Sequence, residues 1–207
     1  MQVAELSAAV RSPWRNGGGQ TRELLAWPAA GDWTLRISVA DITTAGPFST
    51  YPGIDRWIAV LGGDGIALSM DTSKPRTLAP SDLHMHAFAG ECAVSCSLPG
   101  SATTDLNIMV SRAHWRARIT PTLVSSRLSS AARFVGCFAS SACEFHTPVP
   151  PHVAIYGAGL VWHMNDAGET LHIALGQAVP RGWWVELLPL SPETTAAAYD
   201  RVRAPHD

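Results

Sequence analysis

The sequence predicts an all-β protein built from many short strands, and three observations support this prediction. Charged residues make up only 15% of the 207 residues, whereas hydrophobic residues make up 46%. The 17 glycines and 15 prolines suit frequent turns better than long helices. Apolar and polar residues alternate with a period of two in several segments, which is typical of strands with one buried face. Such a chain is expected to form a sandwich or a barrel.

The clearest strand signal of the first half lies at residues 33–40 (WTLRISVA). Apolar Leu35 and Ile37 fall on one face of this strand, and polar Arg36 and Ser38 fall on the other. If the apolar face packs between sheets, Arg36 and Ser38 line the lumen of a barrel. The alternative is that these two side chains face solvent on the outside of a sandwich.

Further strands follow along the first half of the chain. Residues 57–61 (WIAVL) and 66–70 (IALSM) flank the sequence Gly-Gly-Asp-Gly at 62–65, which predicts a β-hairpin. Residues 92–98 and 105–110 also read as strands, and Asp105 and Asn107 share one face of the second.

A composition shift near residues 112–118 marks a boundary between two halves. The second half contains strand-like segments at 132–139, 152–164, 171–175 and 183–190. A short helix is expected at the end, with Ser191 as the N-cap and Pro192 at the first helical position. These features predict two units, at 1–112 and 113–207.

Composition excludes several classes of partner and location. The formal net charge of −2 offers no attraction for a phosphate backbone, so nucleic acid is not expected. The first residues lack a basic segment, and Glu5 interrupts their apolar stretch, which argues against a signal peptide. No apolar run approaches the roughly 18 residues that a bilayer span requires. We therefore expect a cytoplasmic protein, with its four cysteines reduced.

A run of three glycines is the most distinctive local feature. Residues 14–21 (WRNGGGQT) include Gly17, Gly18 and Gly19, whose backbone N–H groups could converge on an anion. The alternative is a tight turn at the start of a strand. The spacing is not that of a nucleotide-binding loop.

Four segments together resemble the HutD/Ves family. These are residues 14–21 (WRNGGGQT), 33–40 (WTLRISVA), 46–56 (GPFSTYPGIDR) and 105–109 (DLNIM), followed by Arg112. The resemblance implies two cupin-like β-barrels in one chain, an RmlC-like jelly-roll bicupin. The family pocket would lie in the first barrel, and the second barrel would be degenerate.

The resemblance also implies a function in histidine utilisation. The family is proposed to bind a pathway intermediate such as urocanate or N-formimino-glutamate and to limit flux or induction. We therefore expect a small-molecule-binding protein that has no cofactor. Its role is expected to be regulatory rather than enzymatic. A homodimer is compatible with exposed strand edges and with the paired Trp183 and Trp184.

The residue chemistry suits a small carboxylate with a second, nitrogen-containing end. Arg36 would grip the carboxylate in a fork, and it would be paired with Asp105 in the absence of ligand. Asp105 or Asn107 would take the N–H end of the ligand. The predicted ligand-binding set is Asn16, Gly17, Gly18, Gly19, Arg36, Ser38, Phe48, Tyr51, Asp105 and Asn107.

A metal-dependent cupin enzyme acting on a small acid is the alternative. Cupin enzymes hold metal through His-x-His and a later Glu, and here His84, His86 and Glu91 occur in that order. The flanking glycines are missing, since position 78 is Leu. We therefore predict no metal, and Ni, Mn or Fe(II) if one is present. A third possibility is a regulatory protein whose exposed face binds another protein.

Overall fold

The computed structural model describes residues 1–70, 74–122, 127–148, 152–176 and 181–190. Within these ranges the chain forms nineteen β-strands and no α-helix. The all-β prediction is therefore confirmed for the described residues. The helix predicted to begin at Ser191 lies outside them.

The strands of the first half have the following bounds: β1 Gln2–Glu5, β2 Arg11–Pro13, β3 Gly19–Trp27, β4 Leu35–Ile42, β5 Gly46–Pro47, β6 Ile54–Gly62, β7 Ile66–Met70, β8 Arg76–Leu78, β9 His86–Ala89, β10 Val94–Ser97 and β11 Thr103–Ser111. Those of the second half are β12 Trp115–Pro121, β13 Arg127–Ser130, β14 Phe134–Ala139, β15 Cys143–His146, β16 Val153–Ile155, β17 Gly159–Met164, β18 Leu171–Leu175 and β19 Gly182–Pro189.

These strands pair into four antiparallel sheets. Sheet 1 has the order β2-β3-β4-β11-β6-β9, and sheet 2 has the order β5-β10-β7-β8. Sheet 3 has the order β1-β17-β14-β19-β12, and sheet 4 has the order β13-β18-β15-β16. In the described residues none of the four sheets closes into a barrel; the pairs form open sandwiches.

Three apolar cores hold the four sheets together as layers. Sheets 1 and 2 enclose a core that includes Ile58 and Leu68, and sheets 3 and 4 enclose another that includes Phe145 and Trp184. A third core, which includes Trp183, joins sheet 1 to sheet 3. Trp183 and Trp184 are each 1% exposed, and as neighbours in one strand they face opposite cores.

The hairpin predicted around residues 62–65 is wrong. The two strands exist as β6 and β7, but β6 belongs to sheet 1 and β7 to sheet 2. Gly63 and Gly65 have φ angles of +88° and +93°, which turn the chain from one layer into the next. A side chain at Gly65 would lie 2.6 Å from the carbonyl oxygen of Leu78, so this corner requires glycine.

Several contacts tie the first and second halves together beyond the shared core. The first strand, β1, pairs with β17 of sheet 3 rather than with the strands that follow it in sequence. In the other direction, Trp183 Nε1 donates to the carbonyl of Leu83 at 2.9 Å. Arg181 donates to the carbonyl of Asp82, also at 2.9 Å. Each half therefore contributes groups to the structure of the other.

Candidate functional site

A pocket of about 480 Å³ opens on the inner face of sheet 1, in the first sandwich. Its floor comes from β4, β11 and β6, and its walls come from the turn after β2 and the segment after β5. The lining residues are Pro13, Trp14, Arg15, Asn16, Thr21, Arg36, Ser38, Ala40, Pro47, Phe48, Ser49, Tyr51, Arg56, Asp105, Asn107 and Met109.

The polar floor follows from strand alternation in β4 and β11. Leu35, Ile37 and Val39 belong to the core between sheets 1 and 3, so Arg36 and Ser38 face the pocket. The lumen-facing interpretation of these two residues therefore agrees with the structure. The register sets three rows across the floor: Arg36–Met109–Arg56, Ser38–Asn107–Ile58 and Ala40–Asp105–Val60.

Arg56 is a buried cation in this pocket, with only 6% of its surface exposed. Its guanidinium carbon lies 5.4 Å from the ring centroid of Phe48, 5.7 Å from that of Tyr51 and 4.9 Å from that of Phe88. One terminal N–H donates to the carbonyl of Ser49 at 3.2 Å. Aromatic faces stabilise a cation without neutralising it.

The Arg56 guanidinium retains unused donor capacity. Among the described residues its Nε has no hydrogen-bond partner. Burial lowers the pKa of Arg56, and the carboxylate of Asp105 opposes this effect. An arginine keeps its charge at neutral pH even so. The pocket therefore contains a buried positive charge with a free donor.

Asp105 is the buried acid of the same pocket, at 1% exposure. Its Oδ1 has no hydrogen-bond partner within the described part of the chain. Burial raises the pKa of the Asp105 carboxyl to about 7, although Arg56 and the backbone N–H of Ala40 act in the opposite direction. Asn107, two residues further along β11, is 8% exposed and likewise has an unpartnered Oδ1. Unpartnered buried polar atoms are costly.

The predicted pairing of Arg36 with Asp105 is wrong. Arg36 Nε instead donates to Glu23 Oε2 at 2.7 Å, where both side chains are partly exposed. Arg36 and Arg56 both lie opposite Met109, four residues from Asp105 along β11, so the register alone does not decide which of them approaches Asp105. The cation that lowers the pKa of the Asp105 carboxyl is Arg56.

Seven of the ten sequence-predicted ligand residues line the pocket, namely Asn16, Arg36, Ser38, Phe48, Tyr51, Asp105 and Asn107. The structure does not bring Gly17, Gly18 and Gly19 into the lining. The N–H of Gly18 donates to Asn16 Oδ1 at 3.0 Å, and the N–H of Gly17 donates to the carbonyl of Trp14 at 3.0 Å.

The geometry of the glycine run is that of a tight turn. Gly17 has a φ angle of +72°, and a side chain at Gly19 would lie 3.1 Å from the ring of Trp14. Trp14 in turn donates from Nε1 to Thr21 Oγ1 at 2.8 Å. The glycines therefore position Trp14 as a wall of the pocket, and the strand-entry alternative describes them better than an anion-binding nest.

Arg56 is the main residue that the sequence prediction missed. The predicted strand began at Trp57, three residues too late, whereas β6 begins at Ile54. Arg56 has the same parity as Ile58 and Val60, whose side chains face the interior of the first sandwich. Extending the alternation by one residue towards the N-terminus would have placed Arg56 on the pocket face.

The alternative metal set does not come together. Glu91 accepts two hydrogen bonds from Arg112, one of them at 2.6 Å, and His84 is exposed. His86 is half-buried beside Phe88, and burial lowers its pKa. In the described ranges no three His, Cys, Asp or Glu side chains are arranged to hold a metal ion.

Fold and pocket together define a cupin-like all-β protein with a polar, arginine-containing pocket in its first sandwich. The same fold occurs in a variant of oxalate decarboxylase from Bacillus subtilis, with a TM-score of 0.58 over 96% of this chain and 83% of that one. At 6% sequence identity this likeness concerns the fold alone.

The chain belongs to the HutD family, whose model matches residues 6–149. HutD from Pseudomonas fluorescens SBW25 superposes with a TM-score of 0.79 at 29% identity, covering 92% of this chain and 99% of that one. A 21.2 kDa protein in the hutC 3′ region of Pseudomonas putida is 42% identical over 143 residues, which are 68% of this chain and 74% of that protein.

Protein Ves from Escherichia fergusonii is 41% identical over 98 residues, 46% of this chain and 50% of its own length. These matches confirm the HutD/Ves resemblance and associate the family with the hut operon region. Within the described residues no helix is long and apolar enough to cross a bilayer.

Proposed function

We propose that this protein binds a small carboxylate in the pocket of the first sandwich and thereby regulates histidine utilisation without catalysing a reaction. One observation carries the proposal: Arg56 is buried and charged, and its Nε donor has no partner among the residues that the structure describes. A buried cation that is incompletely paired is unfavourable, and a bound anion would remove that cost.

A carboxylate would use Arg56 and Arg36 as its two cationic contacts. Both side chains lie in one row of the pocket floor, separated by Met109, and Arg36 lowers the pKa of Arg56 through charge repulsion. An anion between two repelling cations is stabilised by both of them. Arg56 would provide the fork-like hydrogen bonds, while Arg36 would remain partly engaged with Glu23 at the mouth.

The remaining polar groups of the floor would select the other end of the ligand. The Asn107 amide is buried, and its Oδ1 has no hydrogen-bond partner in the described part of the chain. It matches a nitrogen-bearing group such as an imidazole, amide or formimino group. Urocanate and N-formimino-glutamate combine such a group with a carboxylate, and the hutC 3′ region location of a relative supports this choice. The volume of about 480 Å³ is within the range of small-molecule sites.

The proposal assigns the two sandwiches different roles. We describe residues 1–112 as a cupin-like unit that holds the ligand and residues 113–207 as a degenerate cupin-like unit that supports it. The support would act through sheet 3, which packs directly behind the pocket floor. This division follows the chain apart from β1, which lies in sheet 3.

A thermal-shift titration of the purified protein tests the proposal. The panel contains urocanate, N-formimino-glutamate, N-formyl-glutamate, glutamate, histidine and formate, each with and without a chelator. A ligand at about 100 times its Kd stabilises by about 2.7 kcal/mol. For a chain of this size that raises Tm by roughly 5–11 °C, at about 2–4 °C per kcal/mol.

Substitutions test whether the rise in Tm comes from binding in the pocket. Arg56→Met should weaken binding by about 1.5–3 kcal/mol, because a hydrogen bond to a charged group is lost, whereas exposed Arg116→Met on β12 should leave it unchanged. Arg36→Ala should weaken binding less than Arg56→Met does. A panel without any shift, or a large destabilisation by the chelator alone, would overturn the proposal and favour a metal enzyme.

A further inference from the structure

The pocket places a buried acid beside the cation that the proposed ligand would use. Asp105 and Arg56 both line the cavity, and the positive charge of Arg56 stabilises the Asp105 carboxylate. An anion that binds Arg56 therefore brings a second negative charge close to Asp105. Two carboxylates that share one small site cannot both stay ionised without a large cost.

We infer that Asp105 takes up a proton when a carboxylate binds, and that its neutral carboxyl group then donates a hydrogen bond to the bound anion. This inference rests on the proposed function, since it concerns the same pocket and the same class of ligand. Asp105 Oδ1 has no partner among the described residues, so the oxygen is available to carry the proton and donate. A hydrogen bond from a carboxylic acid to a carboxylate is short and strong.

Binding replaces one buried negative charge of the pocket with another. The ligand enters as an anion, one proton comes from the solvent, and the charge of the pocket is unchanged after both have bound. The two buried charges of the empty pocket, Arg56 and ionised Asp105, become Arg56 and the ligand carboxylate. Asp105 then acts as a ligand-contacting specificity residue, since an uncharged amide or ester would gain much less from its donated hydrogen bond.

The ionisable groups around Asp105 have shifted pKa values of their own. From β4, Asp41 acts on it, and its own pKa is lowered despite burial, by Thr104, Gln20 and the cations Arg22 and Arg11. From β10, the pKa of Cys96 is raised to about 11. His86 on β9 packs against Phe88, which lies under Arg56, and burial lowers its pKa. Of the groups named here, only Asp105 has a pKa that is raised to about 7.

The affinity for the ligand is expected to fall as pH rises above about 7. Burial raises the pKa of Asp105 to about 7, so below about pH 7 Asp105 is already protonated in the empty pocket. In that range the affinity for the ligand does not depend on pH. Above that pH the proton must be taken from solvent, and the association constant falls by up to about tenfold per pH unit. Proton uptake per bound ligand rises from near zero towards one over the same range.

Isothermal titration calorimetry with formate as the probe measures both quantities. Formate stays ionised over the range of about pH 6 to pH 9, so its own titration does not contribute. At each pH, titrations in two buffers that both work at that pH and differ in ionisation enthalpy, such as HEPES and Tris near pH 8, give the number of protons taken up. We expect at least a tenfold loss of affinity between about pH 7 and pH 9, with uptake approaching one proton.

Asp105→Asn is the diagnostic variant, and Asp41→Asn on the neighbouring strand is its control. The first should bind formate with no pH dependence and no proton uptake, and more tightly than the wild type at pH 9. Asp41→Asn should retain the wild-type decrease of formate affinity with pH. His86→Gln should also retain this decrease above about pH 7.

The outcomes distinguish this inference from the proposed function. If formate and the rest of the panel fail to bind at pH 6, both are overturned. If formate binds with no proton uptake and a level affinity, only the inference is wrong. Carboxyl carbon NMR of Asp105 in the wild type gives the same answer should Asp105→Asn not fold, because formate must shift the Asp105 titration to higher pH.

Discussion

Arg56 is held by three aromatic rings and one carbonyl group, an environment that keeps a guanidinium in place but leaves its charge available. Each ring contact contributes about 0.5–2 kcal/mol of attraction. Arg36, by contrast, is engaged with Glu23 at the pocket mouth. At the scale of single residues, the two arginines of the pocket therefore differ: Arg56 is buried among aromatic rings, and Arg36 is paired with Glu23 and partly exposed.

The buried acid beside Arg56 also affects the pH dependence of stability. The pKa of Asp105 is about 7 in the folded protein and about 3.9 in an unfolded chain. Between these values the folded state binds more protons than the unfolded state, so the contribution of Asp105 to stability decreases as pH rises from about 4 to 7. Above about pH 7 this contribution is constant.

Asp105→Asn removes that dependence. Relative to the variant, the wild-type free energy of unfolding should decrease by up to about 1.4 kcal/mol per pH unit between about pH 4 and pH 7. Urea unfolding of both proteins at several pH values measures the difference. A difference that is constant over this range would show that Asp105 is ionised in the folded protein throughout.

The sequence predicted much of the pocket floor because strand alternation carries the necessary information. Arg36, Ser38, Asp105 and Asn107 all line the pocket, as the period of two indicated. The pairing between these residues could not be predicted, because it depends on which strands are neighbours and in what register. Arg56 has the right parity on β6, yet only the register shows that it lies in the same row as Arg36.

At the scale of the elements, the segment between β6 and β7 determines the architecture of the first sandwich. Its Gly-Gly-Asp-Gly sequence is a strong hairpin signal, but here the glycines form a corner between two sheets. Asp64 accepts hydrogen bonds from the backbone N–H and the hydroxyl of Ser101, at 2.6 and 2.7 Å. These long-range contacts fix the corner, and a local sequence pattern cannot reveal them.

Gly63→Ala tests the importance of this corner. The φ angle of +88° is strained for alanine, and its Cβ would lie 2.8 Å from the Cα of Thr103. We expect a loss of about 1–3 kcal/mol in the free energy of unfolding, measured by urea denaturation. Gly31→Ala, where a Cβ meets nothing within 4 Å, is the control and should change stability by no more than about 0.5 kcal/mol. Equal effects of the two substitutions would contradict this role.

At the scale of the whole molecule, the two sandwiches share a core and are expected to unfold together. The family resemblance in the sequence covered residues 13–112, yet sheet 3 of the second half packs against the back of the pocket sheet. The sequence did not predict this packing, because the second half offers apolar strands without a pattern that identifies their partner. Trp183 is the clearest contact, since it fills the shared core and also donates to Leu83 of the first half.

Trp183→Ala should destabilise the entire chain. Truncation of a fully buried tryptophan costs about 3–5 kcal/mol. Unfolding followed by far-UV circular dichroism and by tryptophan fluorescence should remain a single coincident transition at a lower urea concentration. Tyr156→Ala, at a side chain that is 85% exposed, serves as the control with little change. Two separate transitions in the wild type would show that the halves are independent.

The pairing of β1 with β17 has a consequence for synthesis. Gln2 lies opposite Trp162, so β1 leaves the ribosome long before β17, its partner, has been translated. Meanwhile its backbone groups remain unpaired, and contacts between such distant segments form slowly. The nascent protein therefore cannot complete sheet 3, which backs the pocket, until β17 and β19 have both been translated.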